Sequence, residues 1–279
     1  MKILPLALTL IALTSCAGIM PPAERTTLAG GIARTHNLTP AILGEQLPLQ
    51  SYHRPAALKH EHLRVYIEGD GFAYVTSSVP SPDPTPIEPT TLRLAAADEG
   101  ANVIYMARPC QYTKRSNKAC PQKFWTTHRY SREVTSLYNN VLDGLKQEHG
   151  IRSFDLVGYS GGGVIAALLA AERDDITALR TVAANLDVSA FTDHHNITPM
   201  PHSLNPAEEK GLKSVPQIHY AGEKDNIVPP EVLQSYLVKQ GFSREELSVS
   251  LYVVQGMNHF SPWYKRWPRL LKEHSLGEK

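Results

Sequence analysis

Five residues, Gly158-Tyr159-Ser160-Gly161-Gly162, constrain the fold more than any other stretch of this sequence. They separate Phe154-Asp155-Leu156-Val157, an apolar run of strand length, from an apolar segment between Val164 and Ala171 with helical composition. A chain that passes from strand to helix within so few residues must turn sharply, and glycines beside the serine leave room for the close backbone approach. The serine then sits on strained backbone with its hydroxyl projecting. The plainer reading is a glycine turn around a satisfied serine. A short pattern of common residues cannot decide between the two alone.

The remaining chain alternates in the same way. Strands are expected at Leu47–Tyr52, Leu63–Ile67, Asn102–Met106, Ala178–Ala184, Gln217–Tyr220 and Leu247–Val254. Helices are expected near Leu28 and Ile32, at Thr91–Ala97, from Arg132 to about Lys146, from Pro230 to about Lys239, and around Trp263–Leu271. Alternation of this kind predicts a mostly parallel twisted sheet with helices on both faces, in one domain with a loop-built cap. Two connections, Arg108–Tyr130 and Leu186–Lys213, are long for such a fold and are expected to roof a site. Their aromatics Tyr112, Phe124, Trp125 and Phe191 either line a pocket or pack the loops.

A lone serine hydroxyl is a poor nucleophile, so the motif calls for a base and an orienting acid. Gln217–Tyr220 runs into a loop carrying Asp225, and Leu251–Val254 runs into one carrying His259. Each therefore belongs to a loop just past the C-terminal end of a strand. The order Ser160, Asp225, His259 resembles the α/β-hydrolase superfamily of serine hydrolases, esterase- or lipase-like, from about Leu63 to the C-terminal helix. The resemblance implies Ser160 as nucleophile, His259 as general base and acid, and Asp225 as the carboxylate that holds the imidazole. Asp187 and, more weakly, Glu223 are rivals for the acid.

It also implies an oxyanion hole formed by the Gly161 amide and a second amide from Asp70, Gly71 or Phe72 in the loop after Leu63–Ile67. Here the sequence departs from the family, with Glu68 where many relatives carry histidine. Glu68 is expected either to bond loop amides or to pair with Arg108.

Met1-Lys2 followed by an apolar run from Ile3 to Leu13 reads as a signal-peptide core, too short for a permanent membrane span. Leu13-Thr14-Ser15-Cys16 resembles the lipobox of bacterial envelope lipoproteins, which implies removal of residues 1–15 and acylation of Cys16, with Ala17 pointing to outer-membrane sorting. Ordinary cleavage after Ala17 is the alternative. Residues 16–45 are then an anchor segment with a short helix, and 46–279 the hydrolase domain. A lipid-anchored protein of the bacterial envelope, facing the periplasm, would keep Cys110 and Cys120 as a pair in an oxidising compartment, where a disulfide is the default and a reactive thiol the lesser reading.

Composition excludes other classes. At 42% hydrophobic and 20% charged the chain can bury a core, so disorder is not its main state. Formal charge is +1 and no basic stripe carries interleaved aromatics, so nucleic acid is not an expected partner. His60-Glu61-His62 and His194-His195 lack metal-binding spacing, and neither metal nor organic cofactor is expected. The reading is a monomeric hydrolase of small acyl esters working through an acyl-enzyme. A peptidase or amidase of the same fold, or a silent binding lipoprotein, stands as the alternative.

Overall fold

The computed structural model describes residues 19–45, 47–113 and 120–276. Cys16 and the signal segment lie outside the described residues. Eight strands form one sheet: β1 (Thr39–Leu43), β2 (Leu49–His53), β3 (His62–Ile67), β4 (Val103–Met106), β5 (Ser153–Tyr159), β6 (Ile176–Val182), β7 (Gln217–Gly222) and β8 (Leu251–Val254). Their spatial order is β1-β2-β4-β3-β5-β6-β7-β8. The β1–β2 and β2–β4 pairs are antiparallel and all later pairs parallel. The expected α/β architecture with a mostly parallel sheet is therefore what the chain adopts. β1 lies ahead of the boundary expected at residue 46 and is part of the same sheet.

Successive side chains on a strand face opposite ways, and each face finds its own cover. Leu63, Val65 and Ile67 of β3 join a core with α3 (Arg132–His149), α4 (Gly161–Glu172) and α6 (Pro230–Lys239). Tyr66, between them, belongs to a second core with α1 (Pro22–Thr35), α2 (Thr90–Ala97) and α8 (Trp267–Glu273). The α3 pattern Val134, Tyr138, Val141, Leu142 and Leu145 repeats every three to four residues, and all five are buried. On the α8 side, Trp267 donates its indole N–H to the Tyr66 hydroxyl at 2.8 Å, which lets both large aromatics stay inside.

Three expected segments differ. Residues from Leu247 were expected to open the last strand, but they complete α7 (Arg244–Ser250), and β8 starts at Leu251. The cause is local: the Ser243 hydroxyl accepts from the Glu246 amide and the Glu246 carboxylate accepts from the Ser243 amide, a reciprocal cap that starts a helix. The C-terminal helix is broken into a short turn at Trp263–Lys265 and α8. The long connection expected at Leu186–Lys213 carries structure of its own, α5 (Val188–His194) and two short turns that start at Pro206 and Leu212.

After β3 and β4 the chain crosses back to place β5 on the other side of β3. This reversal opens a crevice at the C-terminal ends of β3 and β5, where ligands bind in sheets of this kind. Ser160 follows one of these strands and the Glu68–Phe72 loop the other.

Candidate active site

Ser160 stands between β5 and α4 with φ +50° and ψ −127°, a conformation that side chains other than glycine rarely adopt. The surroundings hold it there. Its amide donates to the Val182 carbonyl at 2.9 Å, tying the turn to β6. A methyl group on Gly158 would lie 2.4 Å from the Gly162 carbonyl oxygen, and one on Gly162 would lie 2.1 Å from the Ile67 carbonyl oxygen. Helix and strand approach so closely that only glycine fits at both positions.

The three side chains that the sequence places far apart meet here. Ser160 Oγ lies 3.1 Å from His259 Nε2, and His259 Nδ1 lies 2.9 Å from Asp225 Oδ2. An ionised carboxylate only accepts, so Nδ1 carries the proton and Nε2 is left free to accept from the serine hydroxyl. Asp225 is buried, and its other oxygen accepts from the amides of Ile227 at 2.9 Å and Val228 at 2.8 Å. These bonds fix the direction in which the carboxylate faces the imidazole. Tyr159, next to the serine, donates its hydroxyl to the His259 carbonyl at 2.8 Å, and Trp263 donates to the same oxygen at 3.3 Å. The histidine backbone is thus fastened from both sides. Neither tie was visible in the sequence, because the adjacency of Tyr159 to Ser160 says nothing about a partner one hundred residues away.

The rival acids are used elsewhere. Asp187 accepts from Ser235 and pairs with Lys239, each at 2.7 Å, while its other oxygen caps α5. Burial opposes its charge, but these partners prevail and hold its carboxyl below the ordinary range. Glu223 accepts from the Gly256 amide at 2.8 Å.

Beyond β3, the Gly69 amide donates to Glu68 and the Phe72 amide to the Pro84 carbonyl. Phe72 is therefore ruled out as the second oxyanion donor. The amides of Asp70, Gly71 and Gly161 have no hydrogen-bond partner among the described residues, and all three residues border Ser160 or its cavity. Glu68 does bond a loop amide, that of Gly69 at 2.9 Å, together with the Thr91 amide in the first turn of α2 at 3.3 Å and the Tyr105 hydroxyl at 3.2 Å. Burial outweighs these bonds and raises its carboxyl above the usual range.

The expected Glu68–Arg108 pair is absent, because Arg108 turns instead to Asp70 at 3.0 Å. Asp70 also takes Arg129 at 3.1 Å and the Tyr130 hydroxyl at 2.7 Å, and Arg108 bonds the Arg129 carbonyl. Burial disfavours the Arg129 charge, but Tyr130 and Asp70 outweigh it and raise its pKa. This knot packs against Gly161, where an added methyl would meet Asp70 Oδ1 at 2.1 Å. Arg129 and Tyr130 come from the end of a long loop, and no spacing in the sequence announced them.

Ser160 and His259 open onto a cavity of about 610 Å³ whose walls include Phe72, Tyr74, Ile87, Phe191, Val228 and Phe260. Phe191 is thus a pocket residue, whereas Phe124 and Trp125 are buried in the first core and Tyr112 packs on the second. Cys110 and Cys120 form a disulfide with Cα atoms 5.5 Å apart. His62 meets Ser153 Oγ at 2.8 Å and His195 the Ile227 carbonyl at 2.7 Å. Among the described residues no cluster of histidine, cysteine and carboxylate has metal-binding geometry, and no helix is long and apolar enough to cross a membrane.

The family model described as Serine hydrolase (FSH1) matches residues 72–267, more than half of the chain. No curated protein matches the sequence. Among solved structures, an alpha-beta serine hydrolase homologue from Coxiella burnetii shares 16% identity, with a TM-score of 0.53 over 84% of this chain and 97% of that one. A membrane phospholipase A, named there as a bacterial virulence factor, shares 14% identity with a TM-score of 0.57 over 92% of this chain and 93% of that one. A puromycin-hydrolyzing peptidase from Mycobacterium tuberculosis shares 14% identity with a TM-score of 0.51, covering 85% of this chain and 39% of that one. At these identities the likeness is one of fold.

Proposed function

Since the chain belongs to the serine hydrolase family FSH1, we propose that it hydrolyses carboxylic esters through an acyl-enzyme on Ser160. The observation that carries this reading is the continuous relay from Asp225 through His259 to the Ser160 hydroxyl, with contacts of 2.9 and 3.1 Å. His259 takes the serine proton as Oγ attacks the ester carbonyl, and Asp225 stabilises the imidazolium that forms. The amides of Gly161 and of Asp70 or Gly71 receive the developing oxyanion. His259 then protonates the departing alcohol. In the second half it activates water, which releases the acid.

The apolar walls of the cavity suit an acyl chain, and the phospholipase among the solved structures acts on a substrate of that kind. The peptidase neighbour supports amide hydrolysis as the second reading, since the same relay serves both bonds and the loops select the leaving group. Cys16, in its lipobox-like setting, would attach the mature chain to the bacterial envelope, most simply the outer membrane facing the periplasm.

Paired assays on an activated acyl ester and its amide analogue test the reaction. Ser160→Ala should lower ester turnover by several powers of ten. Parental turnover in that variant refutes the role of Ser160, and a preference for the amide favours the second reading. Cys16→Ala should release the protein into the soluble periplasmic fraction; unchanged membrane association would remove the anchor.

A further inference from the structure

The position of α1 decides which way the cavity faces if the chain is anchored. At its C-terminal end, the His36 carbonyl accepts from Arg54 at 2.7 Å, and the Arg54 amide donates to the carbonyl of Val103, the first residue of β4. That end of α1 therefore lies by the N-terminal edge of the parallel strands. At its other end, Arg25 donates to the Thr85 carbonyl at 2.9 Å and stacks 4.9 Å over the ring of Phe72, a wall of the cavity. Arg25 also bonds the Met20 carbonyl at 2.6 Å, drawing the chain leading into α1 to the same place. The helix thus runs against the strands and starts on the face where Ser160 opens. Cys16 stands three residue steps before Ile19, a reach of at most about 11 Å.

Several apolar side chains are exposed around this start. Phe260, directly after His259, is 79% exposed. Val79 and Ile19 are each 53% exposed and Val75 43% exposed, and Tyr74, beside Val75, lines the cavity. Exposed apolar side chains gathered at one opening mark a surface with a partner. Here the partner's chemistry follows from the chain itself, because an acyl group on Cys16 would bring a lipid bilayer within reach of this face.

We propose that the cavity mouth rests on the membrane to which Cys16 is anchored, with Phe260, Val75 and Val79 entering the headgroup region, so that the substrates are acyl lipids taken from that bilayer. The inference rests on the anchored ester-hydrolase reading above and adds an orientation and a substrate class to it. An ester substrate would then slide from the lipid layer into the cavity without crossing water.

The full acylated chain, bound to phosphatidylethanolamine–phosphatidylglycerol vesicles carrying brominated acyl chains, tests the orientation without reference to turnover. Val79→Trp should show fluorescence quenched at least twofold by the brominated lipid. Val249→Trp should not, since Val249 is exposed on α7 just before β8 begins, at the opposite end of the sheet. Equal quenching at both positions, or at neither, overturns the proposal. Intact mass on the same sample establishes acylation of Cys16, so a missing anchor, which also overturns it, is told apart from a mouth that faces away. In parallel, the Val75→Glu/Val79→Glu double variant should lose at least tenfold in hydrolysis of a long-chain ester embedded in the vesicles. Its turnover of a soluble short-chain ester should stay within twofold of the parent. Retained vesicle activity, or equal loss on both substrates, contradicts the proposed surface; the parent's soluble turnover separately reports on the ester-hydrolase reading.

Discussion

Replacing Asp70 with asparagine removes the negative charge at the centre of the knot beside Ser160. In the parent that charge faces Arg108 at 3.0 Å and Arg129 at 3.1 Å, and it accepts from Tyr130 at 2.7 Å. The side chains of Arg108 and Arg129 are only 4% and 11% exposed, so solvent compensates little for the lost partner. Breaking a buried pair costs about 3–5 kcal/mol, mostly from the charge left behind. Asparagine keeps one accepting oxygen and the site is 18% exposed, which places the expected loss near the lower end, about 3 kcal/mol. For a chain of this size that is a fall of about 6–12 °C in melting temperature.

The same change should loosen the Asp70–Gly71 backbone that faces Gly161. Removing one oxyanion donor lowers kcat by about 10²–10³-fold; an amide displaced rather than deleted should lower it roughly tenfold, with KM little changed. Thermal melts and steady-state kinetics on an activated ester measure both. Tyr130→Phe, which deletes one bond to the carboxylate and no charge, should cost about 2 kcal/mol. A D70N protein that melts within a degree or two of the parent and turns over equally fast would refute the claim that this knot shapes the site.

Other consequences follow from single contacts. His219 is fully buried between Thr181 Oγ1 at 2.8 Å and Gln217 Oε1 at 2.9 Å, and burial depresses its pKa to about 3. A depressed histidine stays neutral in the fold while the unfolded chain takes up a proton, so its contribution is complete above about pH 6.5 and is lost as pH falls towards 3. Denaturant titrations should show stability falling by roughly 1 kcal/mol per pH unit across that window, and His219→Gln should flatten the slope; an unchanged slope contradicts this origin. Opening the Cys110–Cys120 bridge, which closes a separation of 10 residues, should cost about 2.5–3 kcal/mol on the chain-entropy account, readable as a lower melting temperature after reduction of the folded protein. Ser243→Ala should cost about 1 kcal/mol through loss of the α7 cap, and a neutral result in chemical denaturation would deny that the cap sets the boundary with β8.

How much of this could be read in advance depended on the range of the interaction responsible. The turn at Ser160 is local, and the glycines that permit it are its neighbours, so β5, the turn and α4 were legible together. Asp225 and His259 were legible because each follows an apolar strand, and parallel strands deliver their C-terminal loops to one edge. Glu68 was placed at the right loop, and its bond to a loop amide was one of the two readings; the other, a pair with Arg108, is not formed, since Arg108 chose Asp70 through contacts made only when the long loop folds back. The same holds for Arg129, Tyr130 and the Tyr159–His259 tie, whose members are brought together by tertiary packing alone. At Leu247, the apolar run favoured a strand, and a two-bond cap several residues upstream decided for a helix. β1 escaped notice because its exposed edge position leaves a weak apolar pattern.

The central claim is that Ser160 becomes acylated during turnover with His259 as its base. Rapid quenching after mixing with an excess of activated acyl ester, followed by peptide mass mapping, tests it most directly. The account predicts one acyl group on the peptide containing Ser160, formed in a burst and absent from His259→Ala. Sustained turnover with Ser160 unmodified and the acyl group on another residue would contradict it.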